Sequence, residues 1–376
     1  MQKRELGIGL IGTGFMGKAH AFAYRMALAA FPDIPTPRLV AIADVNATSA
    51  AEAAHQYGFE SSSGNWRDLI ANPAIDVISI TTPNSFHKEM TLAALSAGKH
   101  VHCEKPLSPS LADSLEMVEA AEAKGLITQV GFNYIKNPML KLAREMIEAG
   151  ELGEITGFRG IHAEDYMHDP ASPWTWRIDP KGGPGVVADL GSHIICMARY
   201  LLGGIAEINA DLRTIVKQRP IAVGSSDMKP VEVDDMARML VTFERGCAGT
   251  LEATWVNTGR KMHLAFEVTG VKGSLVFNQE HLNELHFYKA GGDPRTSGFA
   301  KIESGPVHPP YGQFCVASGH QLGFNDLKTI EMGEFLRGIA LGKATGPDFR
   351  EAYNIQKVVE AAVASSKTRA WERVGK

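Results

Sequence analysis

The chain has 376 residues, more than one compact core accommodates, so two domains are the default. Its composition is that of an ordinary soluble globular protein, 44% hydrophobic and 21% charged. A net charge of -4 without any basic block argues against nucleic-acid binding, and four scattered cysteines with no C-x-x-C pair exclude a zinc ribbon or a disulfide framework.

The first third alternates strand and helix. Strands are expected at Leu6–Ile11, Arg38–Ala43, Asp76–Ile80, His100–Cys103 and Ile127–Gly131. Helices are expected at Phe15–Phe31, Ala47–Tyr57, Ser85–Ala97 and Leu111–Ala123. Such alternation means parallel βαβ units. The pattern changes after residue 131. A helix over Pro138–Ala149, a strand over Ile155–His162 and an irregular stretch over Asp165–Gly185 precede a helix over Val187–Leu202. Alternating segments at Ile205–Val216, Asp235–Phe243, Ala248–Val256, His263–Thr269, Ser274–Phe277 and Glu284–Tyr288 predict a mostly antiparallel sheet. Gly291–Gly323 is a long loop, expected to be a lid or a partner-contacting segment. Helices over Leu327–Ala340 and Ala352–Ala370 close the chain. The N-terminal residues lack the apolar core of a signal peptide, and no run approaches the ~18 apolar residues of a membrane span. The expected compartment is the cytoplasm, with reduced thiols.

Gly12-Thr13-Gly14-Phe15-Met16-Gly17 joins the first strand to the first helix. In that context G-x-G-x-x-G has a mechanism. The first glycine permits the tight turn, the second lets backbone approach a pyrophosphate, and the third lets helix and strand pack closely. Asp44 closes the second strand, where a carboxylate accepts hydrogen bonds from the adenosine ribose and repels a 2′-phosphate. No Arg or Lys follows it in Val45-Asn46-Ala47, which favours NAD over NADP. The plain alternatives are a structural βα turn and a helix-capping Asp.

Thr82-Pro83-Asn84 and His87 follow the third expected parallel strand, at the carboxyl end where ligands bind in this architecture. Capping alone accounts for Asn84, and a helix-face role for His87. Glu104-Lys105-Pro106 follows the next strand, and charged residues there are expected to face the cleft. Pro106 biases Lys105 to extended geometry and makes their peptide a candidate cis bond. Asp189 and His193, four apart on one expected helix, share a face, so that Asp189 can orient His193 for proton transfer. The competing reading is a first-turn Asp near the helix dipole and an unrelated surface His. Gly182-Gly183-Pro184-Gly185 brings the backbone tightly into that helix.

Taken together, the glycine fingerprint, Thr82-Pro83-Asn84 with His87, Glu104-Lys105-Pro106, Gly131-Phe132-Asn133-Tyr134, and Gly183-x-Gly185 leading to Asp189 and His193 resemble the Gfo/Idh/MocA oxidoreductase family over nearly the whole chain. The resemblance implies an α/β protein: an N-terminal Rossmann dinucleotide-binding domain, 1–131, and a C-terminal α/β domain, 132–376, with a large, mostly antiparallel open sheet. It implies Lys105, Asp189 and His193 as the catalytic trio. Expected cofactor residues are Gly12, Gly14, Phe15, Met16, Gly17, Asp44, Thr82, Pro83, Asn84, His87, Glu104, Lys105 and Asn133, with NAD as the cofactor.

Within the family, Arg159-Gly160, Glu164-Asp165-Tyr166, Asp169-Pro170-x-Ser172-Pro173-x-x-Trp176-Arg177, Val233-Asp234-Asp235 and Glu252-Ala253-Thr254 with Gly259-Arg260 resemble the levoglucosan-oxidising branch. Tyr166 stands where that branch is expected to carry Trp, and Glu164 where Gln is expected. Inositol- and L-glucose-oxidising branches remain open. Substrate contacts are expected at Tyr134, Glu164, Asp165, Trp176, Arg177, Asp189 and His193. The implied activity is NAD-dependent oxidation of a ring secondary hydroxyl of a sugar or cyclitol to the ketone, by a homodimer or homotetramer that binds neither nucleic acid nor membrane. The rival from another class is a non-enzymatic NAD-binding sensor. A metal-dependent polyol dehydrogenase is weaker still, because clustered Cys/His ligands are lacking, and no metal is expected.

Overall fold

The computed structural model of the chain describes residues 5–179 and 185–375. It divides into two compact units, Met1–Lys136 with Gly323–Tyr353, and Asn137–Leu322 with Asn354–Lys376. In the first unit, strands β1 (Glu5–Ile11), β2 (Thr36–Ala43), β3 (Ser61–Ser63), β4 (Val77–Ile80), β5 (His100–Cys103) and β6 (Thr128–Val130) alternate with helices α1 (Phe15–Ala30), α2 (Ala47–Tyr57), α3 (Trp66–Ala71), α4 (His87–Ser96) and α5 (Leu111–Lys124). All six strands pair in parallel in the order β3-β2-β1-β4-β5-β6. The apolar runs that predict these strands are the core: Leu6, Ile8, Leu10, Ile42, Val77, Ile78, Ile80 and Val101 are buried. The order reverses between β1 and β4, which opens a crevice at the strands' carboxyl ends.

In the second unit, α6 (Pro138–Glu148) leads to β7 (Ile155–Ala163). Two helical segments follow, α7 (Val186–Asp189) and α8 (Gly191–Leu202). Strands β8 (Ile205–Arg213), β9 (Gln218–Pro220), β10 (Met228–Pro230), β11 (Met236–Phe243), β12 (Ala248–Thr254), β13 (His263–Gly270), β14 (Gly273–Asn278), β15 (Glu284–Lys289) and β16 (Ala300–Glu303) come next. The chain ends with α9 (Phe324–Leu341), α10 (Phe349–Thr368) and β17 (Glu372–Arg373). Nine strands form one sheet, β16-β15-β14-β13-β7-β12-β11-β8-β17, antiparallel except for the β7–β12 pair. One face is dry. Phe158, Phe243, Phe266 and Phe277 cluster there, and Gly160 admits α8 so closely that a Cβ would lie 2.7 Å from Ile194. The alternate residues, among them Arg159, Arg238, Leu240 and Thr250, are exposed on the other face.

Three differences from the sequence reading have physical causes. The helix expected over Val187–Leu202 is two segments joined at Leu190, and Gly182, Gly183 and Pro184 before it lie outside the described residues. The segment Gly291–Gly323 is pinned as a loop: β16 pairs with β15, Tyr311 is fully buried, and Asn283 bonds both backbone groups of Leu322. The division at 131/132 placed α9 in the second domain, whereas α9 packs in the first unit. There a Cβ at Gly333 would lie 2.4 Å from the Phe31 ring, and Arg337 pairs with Asp33 at 2.9 Å. The small elements β3, α3, β9 and β10 are too short to show a periodicity.

Candidate functional site

Gly12, at the end of β1, adopts φ +101°, and a Cβ there would lie 2.8 Å from Thr81 Oγ1 at the end of β4. A Cβ at Gly17 would lie 2.1 Å from the Gly12 carbonyl oxygen, so α1 sits directly against the turn. A Cβ at Gly14 would meet nothing within 4 Å. Its backbone therefore fronts open space at the start of α1, which has no side-chain cap and offers its first N–H groups to an anion. Phe15 is exposed beside it, and Met16 begins the same turn. The Asp44 carboxylate closes the site from β2. Its Oδ2 accepts from the Thr13 N–H at 3.0 Å and the Thr13 hydroxyl at 2.7 Å, and its Oδ1 from the Asn46 N–H at 3.1 Å. Burial pushes this carboxyl up, yet the donors outweigh that and hold it below the ordinary Asp range. Val45 points into solvent. Asn133 is buried with its Nδ2 unpartnered, a donor available to a ligand. Open space at Gly14, an uncapped helix start and this spare donor fit a dinucleotide.

The loops after β4 and β5 are tied together by His87. Buried, it places Nδ1 3.0 Å from the Pro106 carbonyl and Nε2 3.0 Å from the Thr82 carbonyl. Burial keeps it below the ordinary His range. His87 thus braces Thr82-Pro83 against Lys105-Pro106, whose peptide is cis, while Asn84 is buried in the turn that opens α4. Glu104 does not face a cleft as expected. It is 7% exposed and belongs to a buried network, because its carboxylate finds two strong donors behind the strand end. The Lys328 ammonium of α9 donates to Glu104 Oε1 at 2.8 Å and to Glu331 Oε2 at 2.6 Å. His20 of α1 lies between Ser79 Oγ and Glu104 Oε1, both at 2.8 Å. Burial and Lys328 hold its pKa down to about 4, so neutral His20 donates through Nε2 and accepts through Nδ1. Gly131 is required here, since a Cβ would lie 2.5 Å from the Glu104 carboxylate. Lys105 follows directly, its N–H 3.3 Å from Glu104 Oε2. Tyr134 stands on the short turn Asn133–Lys136, its ring 6.3 Å from that of Phe324. Sequence reasoning missed His20, Lys328 and Glu331; the only available signal was an i, i+3 Lys–Glu pair within an apolar helix face.

In the second unit, Asp189 ends α7 and His193 lies in the first turn of α8. Asp189 Oδ2 accepts from the Tyr166 hydroxyl at 3.1 Å and lies 3.6 Å from Arg177 Nε. Arg177 covers the half-exposed Trp176 ring at 4.6 Å. His193 is buried, with the His162 ring edge-on at 5.5 Å. His162 Nδ1 lies 3.0 Å from the Leu190 carbonyl at the α7–α8 junction, and its Nε2 lies 3.0 Å from Glu164 Oε1. Asp189, Tyr166, Arg177 and Trp176 therefore come together, and Glu164 reaches His193 by way of His162. Asp165 is turned elsewhere: Lys261 donates to it at 2.7 Å and the Gly259 N–H at 3.0 Å, which hold its carboxyl low. Asp234 caps α7 from the segment before β11, accepting from the Val187 N–H at 2.8 Å. Fully buried Arg219 donates to the carbonyls of Met167 and Asp169. Neither Asp234 nor Arg219 was foreseen as part of this site. Among the described residues no group of three His, Cys, Asp or Glu side chains could hold a metal ion. Among the described residues no helix is long and apolar enough to cross a membrane.

The first unit is an NAD-binding Rossmann domain, with its glycine turn at the point where the strand order reverses. The chain belongs to the GFO/IDH/MocA oxidoreductase family: the model of the oxidoreductase family NAD-binding Rossmann fold matches residues 6–132, and that of the GFO/IDH/MocA C-terminal domain matches residues 140–276. The levoglucosan dehydrogenase of Pseudarthrobacter phenanthrenivorans is 38% identical, over 98% of both chains. The NAD-dependent scyllo-inositol 2-dehydrogenase of Bacillus subtilis is 30% identical, over 73% of this chain and 74% of that protein. A solved levoglucosan dehydrogenase in complex with NADH and levoglucosan superposes with a TM-score of 0.95 at 38% identity, covering 99% of this chain and all of that one.

Proposed function

We propose that this protein oxidises a ring secondary hydroxyl of a neutral sugar or cyclitol to the ketone, passing hydride to NAD. The observation that carries the reading is the Asp189 carboxylate at the α7–α8 junction, bonded by Tyr166 and paired with Arg177, with His193 in the next turn. Such a group of acceptors and donors suits hydroxyl recognition and proton transfer. Levoglucosan heads the substrate list because the relative that is 38% identical over 98% of both chains oxidises it. Scyllo- and myo-inositol, L-glucose and D-glucose-type pyranosides follow.

Bound NAD accepts the hydride; the chain positions the substrate and handles the proton. His193 takes the hydroxyl proton, Asp189 orients His193, and Lys105 hydrogen-bonds the reacting oxygen. Trp176, Arg177 and Tyr134 contribute sugar contacts. Glu164 acts through His162. Asp165 holds the Gly259–Lys261 turn. The second unit also carries the self-association surface of a homodimer or homotetramer, on the open face of its nine-stranded sheet.

Turnover of NAD across the sugar panel tests the reading, with NMR of the product to locate the carbonyl. A ring ketone is expected. A lactone, activity confined to phosphorylated or carboxylated substrates, or NAD binding without turnover of any sugar would overturn it. Lys105→Met and His193→Ala should each lower kcat by on the order of 10²–10⁴-fold with NADH binding retained, and Asp189→Asn by less.

A further inference from the structure

The backbone on both sides of Tyr166 is anchored. Its backbone follows Glu164, whose N–H donates to the Thr254 carbonyl at 2.9 Å and whose own carbonyl accepts from Asn257 at 2.9 Å. On the other side Met167 donates to the Trp255 carbonyl at 3.0 Å, and the buried Arg219 guanidinium takes the Met167 carbonyl at 2.5 Å and the Asp169 carbonyl at 2.8 Å. The Tyr166 ring rests 6.2 Å from that of Trp255. Trp255 is itself fully buried, and its indole N–H donates to Asp235 at 2.6 Å. Asp235 in turn accepts from the N–H groups of Ile215 and Val216 at 2.7 and 2.8 Å. Tyr166 is 40% exposed, and its hydroxyl donates to Asp189 Oδ2 at 3.1 Å. Burial of the hydroxyl and the adjacent carboxylate push the phenol far above its ordinary range, so it stays a donor.

We propose that Tyr166 is a positioning residue for the reaction: by donating to Asp189 Oδ2 beside Arg177, it fixes the orientation of that carboxylate. The inference rests on the dehydrogenase reading and adds to it a residue outside the catalytic trio. The hydroxyl donor on Asp189 Oδ2, with the Arg177 cation 3.6 Å from the same oxygen, restrains the carboxylate, and the anchored backbone around Tyr166 pre-pays the ordering of that contact. Charged and titratable groups around Asp189 include Tyr166 and Arg177 from the loop after β7, with Glu164 coupled to Tyr166.

Tyr166→Phe removes the hydroxyl and keeps the ring. With the best sugar of the panel, kcat/KM should fall by on the order of tenfold. The fall should lie in kcat, with KM for the sugar little changed, as expected for a residue that positions a reacting group. NADH affinity should be unchanged. An activity-free readout accompanies this: the Tm losses of Tyr166→Phe and Asp189→Asn should sum to more than the loss of the double variant. A Tyr166→Phe kcat equal to that of the parent, or additive Tm losses, would overturn the proposal. If the parent turns over no sugar, the dehydrogenase reading fails by itself, and the Tm cycle alone then decides the Tyr166–Asp189 coupling.

Discussion

Asp44 has two tasks at once, and they are separable. Its carboxylate holds Thr13 of the glycine turn through two bonds and presents a negative charge beside the exposed Val45. Asp44→Asn keeps an acceptor for Thr13 and removes the charge that repels a 2′-phosphate. The ratio of kcat/KM for NAD over NADP should fall in Asp44→Asn, and adding Val45→Arg should narrow or reverse it. A parent enzyme that prefers NADP would refute the assignment. Because the native carboxyl is held low, its charge persists into acid, so the preference should not weaken between neutral pH and pH 5. At this scale the sequence was legible where a residue type had few possible purposes. Gly12, Gly14, Gly17 and Asp44 stand where the fingerprint needs them. It misled at Glu104, because a charged residue at a strand end was read as facing outward. The buried partner that draws it inward, Lys328, lies 224 residues away.

Elements show the same limit. Long amphipathic or apolar segments were read within a few residues of their observed ends, since their periodicity is local. The break between α7 and α8 was not legible, because Asp234, which caps α7, lies 47 residues beyond Val187. Burial, with Asp235 adding to it, raises the Asp234 carboxyl from 3.8 to about 7 against the donors of α7. The folded state therefore binds a proton that the unfolded chain lacks between these values. Stability from this group is full below the lower value, declines as pH rises, and is level above about 7. Asp234→Asn, which cannot ionise, should gain Tm relative to the parent as pH rises from 5 to 8; a difference independent of pH would count against the assignment. The attachment of α9 makes a second prediction. Lys328→Met leaves Glu104 and Glu331 buried without their shared cation, and should cost about 3–5 kcal/mol in denaturant unfolding. A loss below about 1 kcal/mol would mean that the network reorganises at little cost.

At the scale of the whole molecule, the open face of the nine-stranded sheet is where the proposed self-association is tested. Antiparallel sheets often leave one face to water, but such faces carry polar side chains at the alternate positions. Here Leu240, midway along β11, is 50% exposed and lines a groove of about 750 Å³ together with Ile161, Thr250 and Ala265. Around it the charges are mixed and already paired in place, Arg159 with Glu267 at 3.3 Å and Arg238 with Glu252 at 3.8 Å. A patch with an apolar centre and a rim of both signs can meet its own copy across a two-fold axis without a charge mismatch. The sequence carried this feature as an alternation of strand residues, but could not say which residues would share the uncovered face. Light scattering coupled to size exclusion should therefore give a mass of two or four chains at micromolar concentration. Leu240→Arg, which adds a cation to a face that already holds Arg159 and Arg238, should shift the protein toward the monomer, while the first unit keeps its NADH affinity. A parent that elutes as a monomer, or a Leu240→Arg variant with an unchanged mass, would place the self-association surface elsewhere or remove it.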